Sequence, residues 1–188
     1  MQDDTARKAR FKWIILCYPL ALIVIATLLN MFVFGVSPAV VALPAENLVI
    51  ALSICAVLLV INHTWLMNST ELTRLDFDLK ATPEEWANSD VKPDEIAKKG
   101  WAELERRHNA HRNATENTAH FILLALTVCL VSPTHLTAQI WIVLFAVGRL
   151  GHTFSYLSGK DSLRGLFMSL SLAGLYGLAS YLMMSFLV

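Results

Sequence analysis

Residues 47–70 read NLVIALSICAVLLVINHTWLMNST and contain no Asp, Glu, Lys or Arg. A bilayer core of about 30 Å is crossed by roughly 20 apolar helical residues, so this run predicts a transmembrane helix. Only 16% of the 188 residues are charged, well below the usual share in soluble proteins. Asp, Glu, Lys and Arg are also absent from three further stretches, residues 13–45, 117–148 and 165–188. The sequence therefore predicts an all-α membrane protein.

The stretch 117–148 contains Ser132-Pro133-Thr134, a turn signal that divides it between two helices. The apolar run of the first span is longer than the 7–15 residues usual in a cleaved signal peptide, so we interpret it as a retained helix. Five spans are predicted in all, near residues 13–36, 46–69, 103–131, 137–157 and 162–187.

Lys and Arg are distributed unevenly around these spans. With five spans all 15 of them fall on one side of the membrane, and the loops 37–45 and 132–136 on the other side carry none. The positive-inside rule makes the charged side cytoplasmic. We therefore expect a multi-pass protein with a cytoplasmic N-terminus and the C-terminus on the opposite side. The net charge of zero gives no indication of nucleic-acid binding.

The third predicted helix enters the bilayer with many polar groups, because residues 105–117 read ERRHNAHRNATEN. Polar side chains at membrane depth are costly unless they face partner helices or a wet cavity, so they indicate a functional site. The alternative is a set of interfacial charges that pair along the helix, such as His108–Arg112 and Arg112–Glu116. A metal site at His108 and His111 with Glu105 is a further alternative, although no second such motif is present.

The fourth predicted helix ends in GRLGHTFSYL, residues 148–157. Arg149, His152 and Tyr156 are spaced i, i+3, i+7 and share one helix face. Glu116 is the expected counter-charge of Arg149, and a purely structural pair of the two is the alternative. The last helix is expected to begin at Asp161 or Ser162 as its cap, with Arg164 in the first turn, where the helix dipole favours an anion.

These motifs resemble the MAPEG family, the membrane-associated proteins in eicosanoid and glutathione metabolism. The resemblance rests on three features in order: Glu-Arg-x-x-x-Ala-His-x-Asn-x-x-Glu-Asn, then Gly-Arg-x-x-His-Thr-x-x-Tyr-Leu, then an Arg that opens the last helix. The branch of microsomal glutathione S-transferase 1 and prostaglandin E synthase is the most similar. The resemblance implies a four-helix bundle over residues 45–188, with a cytoplasmic loop at 71–102, preceded by an additional helix within residues 1–40.

The resemblance also implies homotrimers that bind glutathione between subunits near the cytoplasmic face. Arg164 matches the position that stabilises the glutathione thiolate and would be catalytic. Arg74 is a candidate for a further family arginine, with the register between it and Glu71 left open. The other residues implied in glutathione binding are Arg106, His111, Arg112, Asn113, Glu116, Arg149, His152 and Tyr156.

The implied function is that of a glutathione transferase or peroxidase acting on lipophilic electrophiles or lipid hydroperoxides, with glutathione as co-substrate and no metal. The alternative is a non-catalytic, lipid-binding member of the family. The sequence departs from its relatives in two ways that bear on this choice. Asn109 stands where relatives carry Arg, and Gly165 stands where the prostaglandin synthase has Ser, which argues against that isomerase activity.

Overall fold

The computed structural model describes residues 2–188, and the side chains of residues 7–134 and 136–188. These residues form helices and connecting loops with no strand. Six α-helices are present: α1 (Gln2–Leu29), α2 (Glu46–Asp76), α3 (Pro83–Ala87), α4 (Lys98–Leu130), α5 (His135–Leu157) and α6 (Asp161–Ser185). A π-helical turn, Asn30–Phe34, continues α1, and a 3₁₀ turn, Pro93–Glu95, lies between α3 and α4.

The five predicted long helices are confirmed, but three of their boundaries were wrong. Helix α1 begins at Gln2 rather than near residue 13, α2 continues to Asp76 rather than ending near 69, and α4 begins at Lys98 rather than near 103. For α1 and α2 the apolar span continues into a polar segment without Gly or Pro near the predicted boundary, and for α4 the polar first turns extend five residues further, past Gly100. Helix formation does not stop at the membrane boundary, because residues such as Ala, Arg, Lys and Glu favour it in water as well.

Four helices are long and apolar enough to cross a membrane: Arg7–Phe34, Glu46–Asp76, Leu136–Leu157 and Asp161–Ser185. Helix α4 is more polar than these, yet it runs the length of the bundle. Near its end, the backbone N–H of Ala42 donates to the carbonyl of Leu130 at 3.0 Å. Towards its other end, Nε2 of His108 lies 3.5 Å from Nη2 of Arg74, in the last turn of α2. The molecule is an all-α membrane bundle in which the most polar long helix, α4, spans the same length as the apolar ones.

The loops predicted to share the uncharged side do meet. The hydroxyl of Thr134, just before α5, donates to the carbonyl of Gly35 at 3.1 Å, and the N–H of Ala39 donates to Ser185 in the last turn of α6 at 2.8 Å. The ends of α1, α4 and α6 therefore lie together with the starts of α2 and α5. The side of the membrane that this end faces stays a prediction.

Small residues let α5 and α6 approach closely. A Cβ atom on Gly148 would lie 2.5 Å from the backbone N of Ser171, and one on Gly174 would lie 2.8 Å from the carbonyl O of Trp141. Small residues are the usual means of close helix packing in membranes. On the other side of α5, Phe145 stacks on Phe121 of α4 with ring centroids 3.9 Å apart. Helix α5 is thus the buried centre of the bundle, and its polar face is enclosed with it.

The additional helix α1 is attached to α6 at two levels. The hydroxyl of Tyr18 donates to Oγ of Ser169 at 2.6 Å. Further along, the fully buried amide of Asn30 donates to the carbonyl of Gly177 at 2.9 Å and accepts from Nε1 of Trp141 at 2.8 Å. These bonds join the π-helical turn to both α5 and α6, so α1 is an integral part of the bundle.

Candidate functional site

Five side chains from α4, α5 and α6 form a continuous polar column: Asn113, Arg149, His152, Tyr156 and Arg164. Its centre is Arg149, whose side chain is completely buried, with 0% exposure. Arg149 lies eight residues before the end of α5 at Leu157, which corresponds to a depth of roughly 12 Å at 1.5 Å per residue. A full positive charge is therefore held well inside the bundle.

The partners of Arg149 differ from the predicted one. Its Nη2 donates to Oδ1 of Asn113 at 2.9 Å and lies 3.3 Å from Nδ1 of His152. Glu116, the expected counter-charge, is exposed, so the predicted pair between Arg149 and Glu116 is wrong within one chain. No carboxylate of the described side chains lies within ion-pair distance of Arg149, and its buried Nε has no hydrogen-bond partner among them.

The column continues from Arg149 towards the helix end through ring contacts. The centroids of His152 and Tyr156 are 5.2 Å apart in an edge-on arrangement, and the guanidinium carbon of Arg164 lies 5.0 Å from the centroid of Tyr156. The predicted i, i+3, i+7 face of α5 is thus confirmed as one connected surface. Arg164, at its outer end, has 42% of its side chain exposed and can contact a ligand from outside the bundle.

The start of α6 differs from the expected cap. Lys160 occupies the cap position without a side-chain hydrogen bond, and Asp161 is the first helical residue. Neither Asp161 nor Ser162 caps the helix. Instead, Oδ1 of Asp161 lies 3.1 Å from Nη1 of Arg164. A carboxylate in the first turn is favoured by the helix dipole, so Asp161 occupies part of the space in which an external anion was expected.

Arg106 is a predicted cation of α4 that reaches the turn between α5 and α6. A Cβ atom on Gly159, in the turn between α5 and α6, would lie 3.1 Å from its Nη1. Its Nη2 pairs with Glu103 at 3.2 Å, and Arg107 pairs with the same carboxylate. Glu103, which the sequence did not single out, pairs with two neighbouring arginines because it is placed three and four residues before them, and the three side chains keep a net positive charge.

Two predicted residues of α4 face outwards. Arg112 and Glu116 are both exposed, and Arg112 donates to Oδ1 of Asn109 in the preceding turn. Of the alternative pairs, Arg112–Glu116 is absent among the described ion pairs, and in place of His108–Arg112 the hydrogen bonds join His108 to Arg74 and Arg112 to Asn109. One chain brings Asn113 to the column and leaves Arg112 and Glu116 on its surface.

Two further predicted residues lie at the contact between α2 and α4, away from the polar face of α5: Arg74 in α2 and His111 in α4. Arg74 contacts His108 at 3.5 Å and Glu71 at 3.9 Å. His111 packs beside His63 of α2, with ring centroids 5.3 Å apart, at a cavity of about 720 Å³ between α2 and α4. His108 and His111 have separate neighbours, and the described side chains contain no group of three His, Cys, Asp or Glu placed to hold a metal ion.

The sequence interpretation missed Asn62, which is 3% exposed and lines the same cavity. The available signal was a polar pair, Asn62-His63, inside the apolar run that predicted α2.

The arrangement as a whole offers guanidinium groups at two levels, Arg149 deep in the bundle and Arg106 and Arg164 near its end. Such a set can bind a small polyanion through charge-assisted hydrogen bonds.

The chain was compared with known proteins by sequence. No curated protein sequence matches the chain at a significant level. A sequence model of the MAPEG family matches residues 52–184, which run from α2 to the last turn of α6 and include every residue of the polar column. The match covers well over half of the chain, and the chain therefore belongs to the MAPEG family.

Proposed function

We propose that this chain is an integral-membrane glutathione transferase, with peroxidase activity towards lipid hydroperoxides, of the branch that includes microsomal glutathione S-transferase 1. The observation that carries the proposal is Arg149, a buried cation with no carboxylate partner among the described side chains. A buried charge is stable only when paired or well hydrogen-bonded. An anionic ligand supplies the missing partner.

Glutathione fits the groups available. It carries two carboxylates and one ammonium, so its receptor needs several cations and an acid. Arg106 and Arg149 are forked donors suited to carboxylates, and Glu116 is the acid for the ammonium. His152 and Tyr156 fix the orientation of Arg149 and Arg164 through their contacts.

Arg164 is the group that we assign to the sulfur. A free thiol has a pKa of about 8.5, and lowering it to about 6.5 requires roughly 2.7 kcal/mol of additional thiolate stabilisation. A guanidinium beside the amides of a helix N-terminus can supply this stabilisation through its charge and its hydrogen bonds to the thiolate. The thiolate then forms a carbon–sulfur bond with an electrophile, and the leaving group departs with its bonding electrons.

The exposed acid and cation of α4 support a homotrimer. Glu116 lies one turn beyond Asn113 in the direction of Leu130, deeper than the level at which Asn113 meets Arg149. An exposed carboxylate at this depth would face lipid in a single chain, which is strongly unfavourable. A neighbouring copy that covers Arg112 and Glu116 would complete the binding site between subunits.

The test uses the full chain, purified in detergent, with glutathione and 1-chloro-2,4-dinitrobenzene as the electrophile. We expect ultraviolet absorbance of a thiolate on titration with glutathione. Replacing Arg164 with Ala is expected to lower kcat/KM about 100-fold, the equivalent of roughly 2.7 kcal/mol, and to abolish the thiolate signal.

The matched control is Lys160→Ala. Lys160 is a cation of the same turn, but its Nζ lies 5.1 Å from the ring of Phe154. Its bond to the column, in which its carbonyl accepts from the N–H of Arg164 at 3.1 Å, belongs to the backbone and is kept in the Ala variant. Removal of the Lys160 side chain is expected to leave turnover within threefold of the native value. The absence of a thiolate signal in the native protein, together with native turnover in Arg164→Ala, would refute the proposal.

A further inference from the structure

The cavity between α2 and α4 lies on the side of α4 opposite to the polar column. Its walls include Ala114 and His111, whereas Asn113, between them in sequence, points to Arg149. Its volume of about 720 Å³ is in the range of sites for small organic ligands. The lining is mostly apolar, with Asn62, His63 and His111 at one end and the hydroxyls of Thr115 and Thr118 along α4.

Asn62 is the feature that requires an explanation. It is 3% exposed, and its Oδ1 has no hydrogen-bond partner among the described residues. Other polar residues of α2 return their hydrogen bonds to their own helix: Thr64 donates to the carbonyl of Val60, and Thr70 to that of Leu66, both at 2.9 Å. An amide oxygen left without a donor in a membrane protein is unfavourable, so a ligand that fills the cavity is expected to bring a donor.

The lining also defines the charge of that ligand. It contains no Asp, Glu, Lys or Arg, so a charged headgroup would be buried without a counter-ion. The two imidazoles at the same end can each donate or accept one hydrogen bond when neutral. These groups fit a hydroxyl-bearing headgroup that donates to Asn62 and exchanges hydrogen bonds with His63 or His111.

The apolar part of the cavity is elongated and open to the bilayer. It extends along α2 from Asn62 to Leu52, about 15 Å at 1.5 Å per residue. Its outer walls include Val60, Ile122 and Leu126, which are 64%, 48% and 49% exposed. One hydrocarbon chain can enter from the lipid side between these residues and lie against both helices.

We propose that this cavity binds an uncharged single-chain lipid with a hydroxyl headgroup, of the monoacylglycerol type, with the hydroxyl donating to Oδ1 of Asn62. This site is separate from the polar column, and the inference does not depend on glutathione binding. A second copy of the chain is the competing occupant and is distinguished by the test.

The experiment reconstitutes the full chain in nanodiscs and adds a monooleoylglycerol that carries a photoreactive diazirine in its acyl chain. We expect labelling of α2 between residues 52 and 66 and of α4 between residues 111 and 126. Excess unlabelled monooleoylglycerol should compete, whereas oleate at a pH where it is ionised should compete at least tenfold less effectively. Asn62→Leu is expected to weaken labelling about tenfold, and Thr64→Val, a polar residue of the same helix bonded to its own backbone, is the control.

Asn62→Leu removes an unsatisfied group, so the variant is expected to fold. Ala119→Trp provides a second variant that fills the cavity from α4 and should also abolish labelling.

Labelling that is unchanged in both variants, or oleate competing as well as the neutral lipid, overturns the proposal. If an Ala119→Cys variant cross-links to another copy of the chain and no lipid labelling is seen, then the cavity is a contact between subunits. The glutathione thiolate signal should persist in Asn62→Leu, so failure of this proposal is separable from failure of the proposed function.

Discussion

Two buried polar clusters on α5 and α6 differ in how completely their hydrogen bonds are satisfied. In the first, Asn30 of the π-helical turn donates to the carbonyl of Gly177 at 2.9 Å and to Oγ of Ser180 at 2.8 Å, and accepts from Trp141 at 2.8 Å. Every group of this Asn30 cluster is neutral, and the Asn30 amide is fully bonded. The cluster fixes α1 to the bundle.

The second cluster, the polar column, is incomplete. Arg149 is equally buried, but it carries a full charge and its Nε has no partner among the described residues. Its acceptors are all uncharged groups: the amide of Asn113, the imidazole of His152 and, at 3.8 Å, the thioether sulfur of Met168. The column also reaches the surface at Arg164, whereas the Asn30 cluster is enclosed. The Asn30 cluster is neutral and fully hydrogen-bonded, so it stabilises the fold without a ligand. The polar column contains a buried charge without a counter-charge among the described side chains and is connected to the surface, which are properties of a ligand-binding site.

The sharpest test of this difference is Arg149→Met, in which an unbranched apolar side chain replaces the guanidinium. We expect the dissociation constant of glutathione to rise about 100-fold, or roughly 2.7 kcal/mol, because a deep carboxylate partner is lost. The unliganded protein is expected to be at least as stable as the native one, since a buried charge without a counter-charge is removed. Calorimetric titration and thermal unfolding in detergent measure the two effects.

Arg107→Met is the control for that change, because Arg107 pairs with Glu103 on its own helix and lies outside the column. The glutathione affinity of the Arg107→Met variant should stay within threefold of the native value. If Arg149→Met instead binds glutathione normally and unfolds more easily, then the column is a structural cluster of the same kind as that around Asn30.

The converse prediction concerns Asn30→Leu. Three hydrogen bonds between helices are lost, and at about 0.6 kcal/mol for each such bond in a membrane protein the free energy of unfolding should fall by about 2 kcal/mol. Glutathione affinity should change less than twofold. Unfolding in mixed detergent micelles provides the measurement, with Thr27→Val as the control, because Thr27 bonds only to Ile23 one turn earlier in α1. Equal destabilisation in both variants would show that the Asn30 cluster does not hold α1 in place.

The helices and the polar face of α5 could be predicted from the sequence because both depend on local periodicity. Arg149, His152 and Tyr156 share a face wherever α5 packs, since positions i, i+3 and i+7 coincide on any helix. The partner of Arg149 could not be predicted in this way. Asn113 and Glu116 are separated by only about 60° around α4, and the rotation of α4 against α5 decides which of them meets Arg149.

The Asn30 cluster was missed for a related reason. A single Asn within a long apolar run is a signal of a buried polar contact. Its partners Trp141 and Gly177, however, lie more than a hundred residues away, and no local pattern connects them. Asn62 was missed for the same reason. Its amide oxygen has no hydrogen-bond partner among the described residues, and this can be seen only once the helices are packed together.

A smaller effect is expected within the column from Tyr156→Leu. The change removes the ring that lies 5.0 Å from the guanidinium carbon of Arg164 and 5.2 Å from His152. A partly exposed cation–π contact contributes about 1 kcal/mol, so kcat/KM should fall about fivefold, with folding intact. Tyr156→Phe keeps the ring and should recover most of the loss. If Tyr156→Phe is as impaired as Tyr156→Leu, then the phenol hydroxyl contacts the ligand and the ring contact is unimportant.

The smallest effect should come from Asp161→Asn at the exposed end of the column. Asp161 pairs with Arg164 at 3.1 Å, but its side chain is 80% exposed, and exposed pairs contribute little, typically below about 1 kcal/mol. Stability should therefore change by less than about 0.5 kcal/mol. Glutathione binding should improve, by no more than about twofold, since the carboxylate that competes for Arg164 is neutralised. The same titration and unfolding measurements apply, at low ionic strength, where the competition is strongest. A tenfold loss of affinity would mean that Asp161 contacts the ligand directly, and the outer end of the column would then be a mixed-charge site in which an acid and Arg164 both take part.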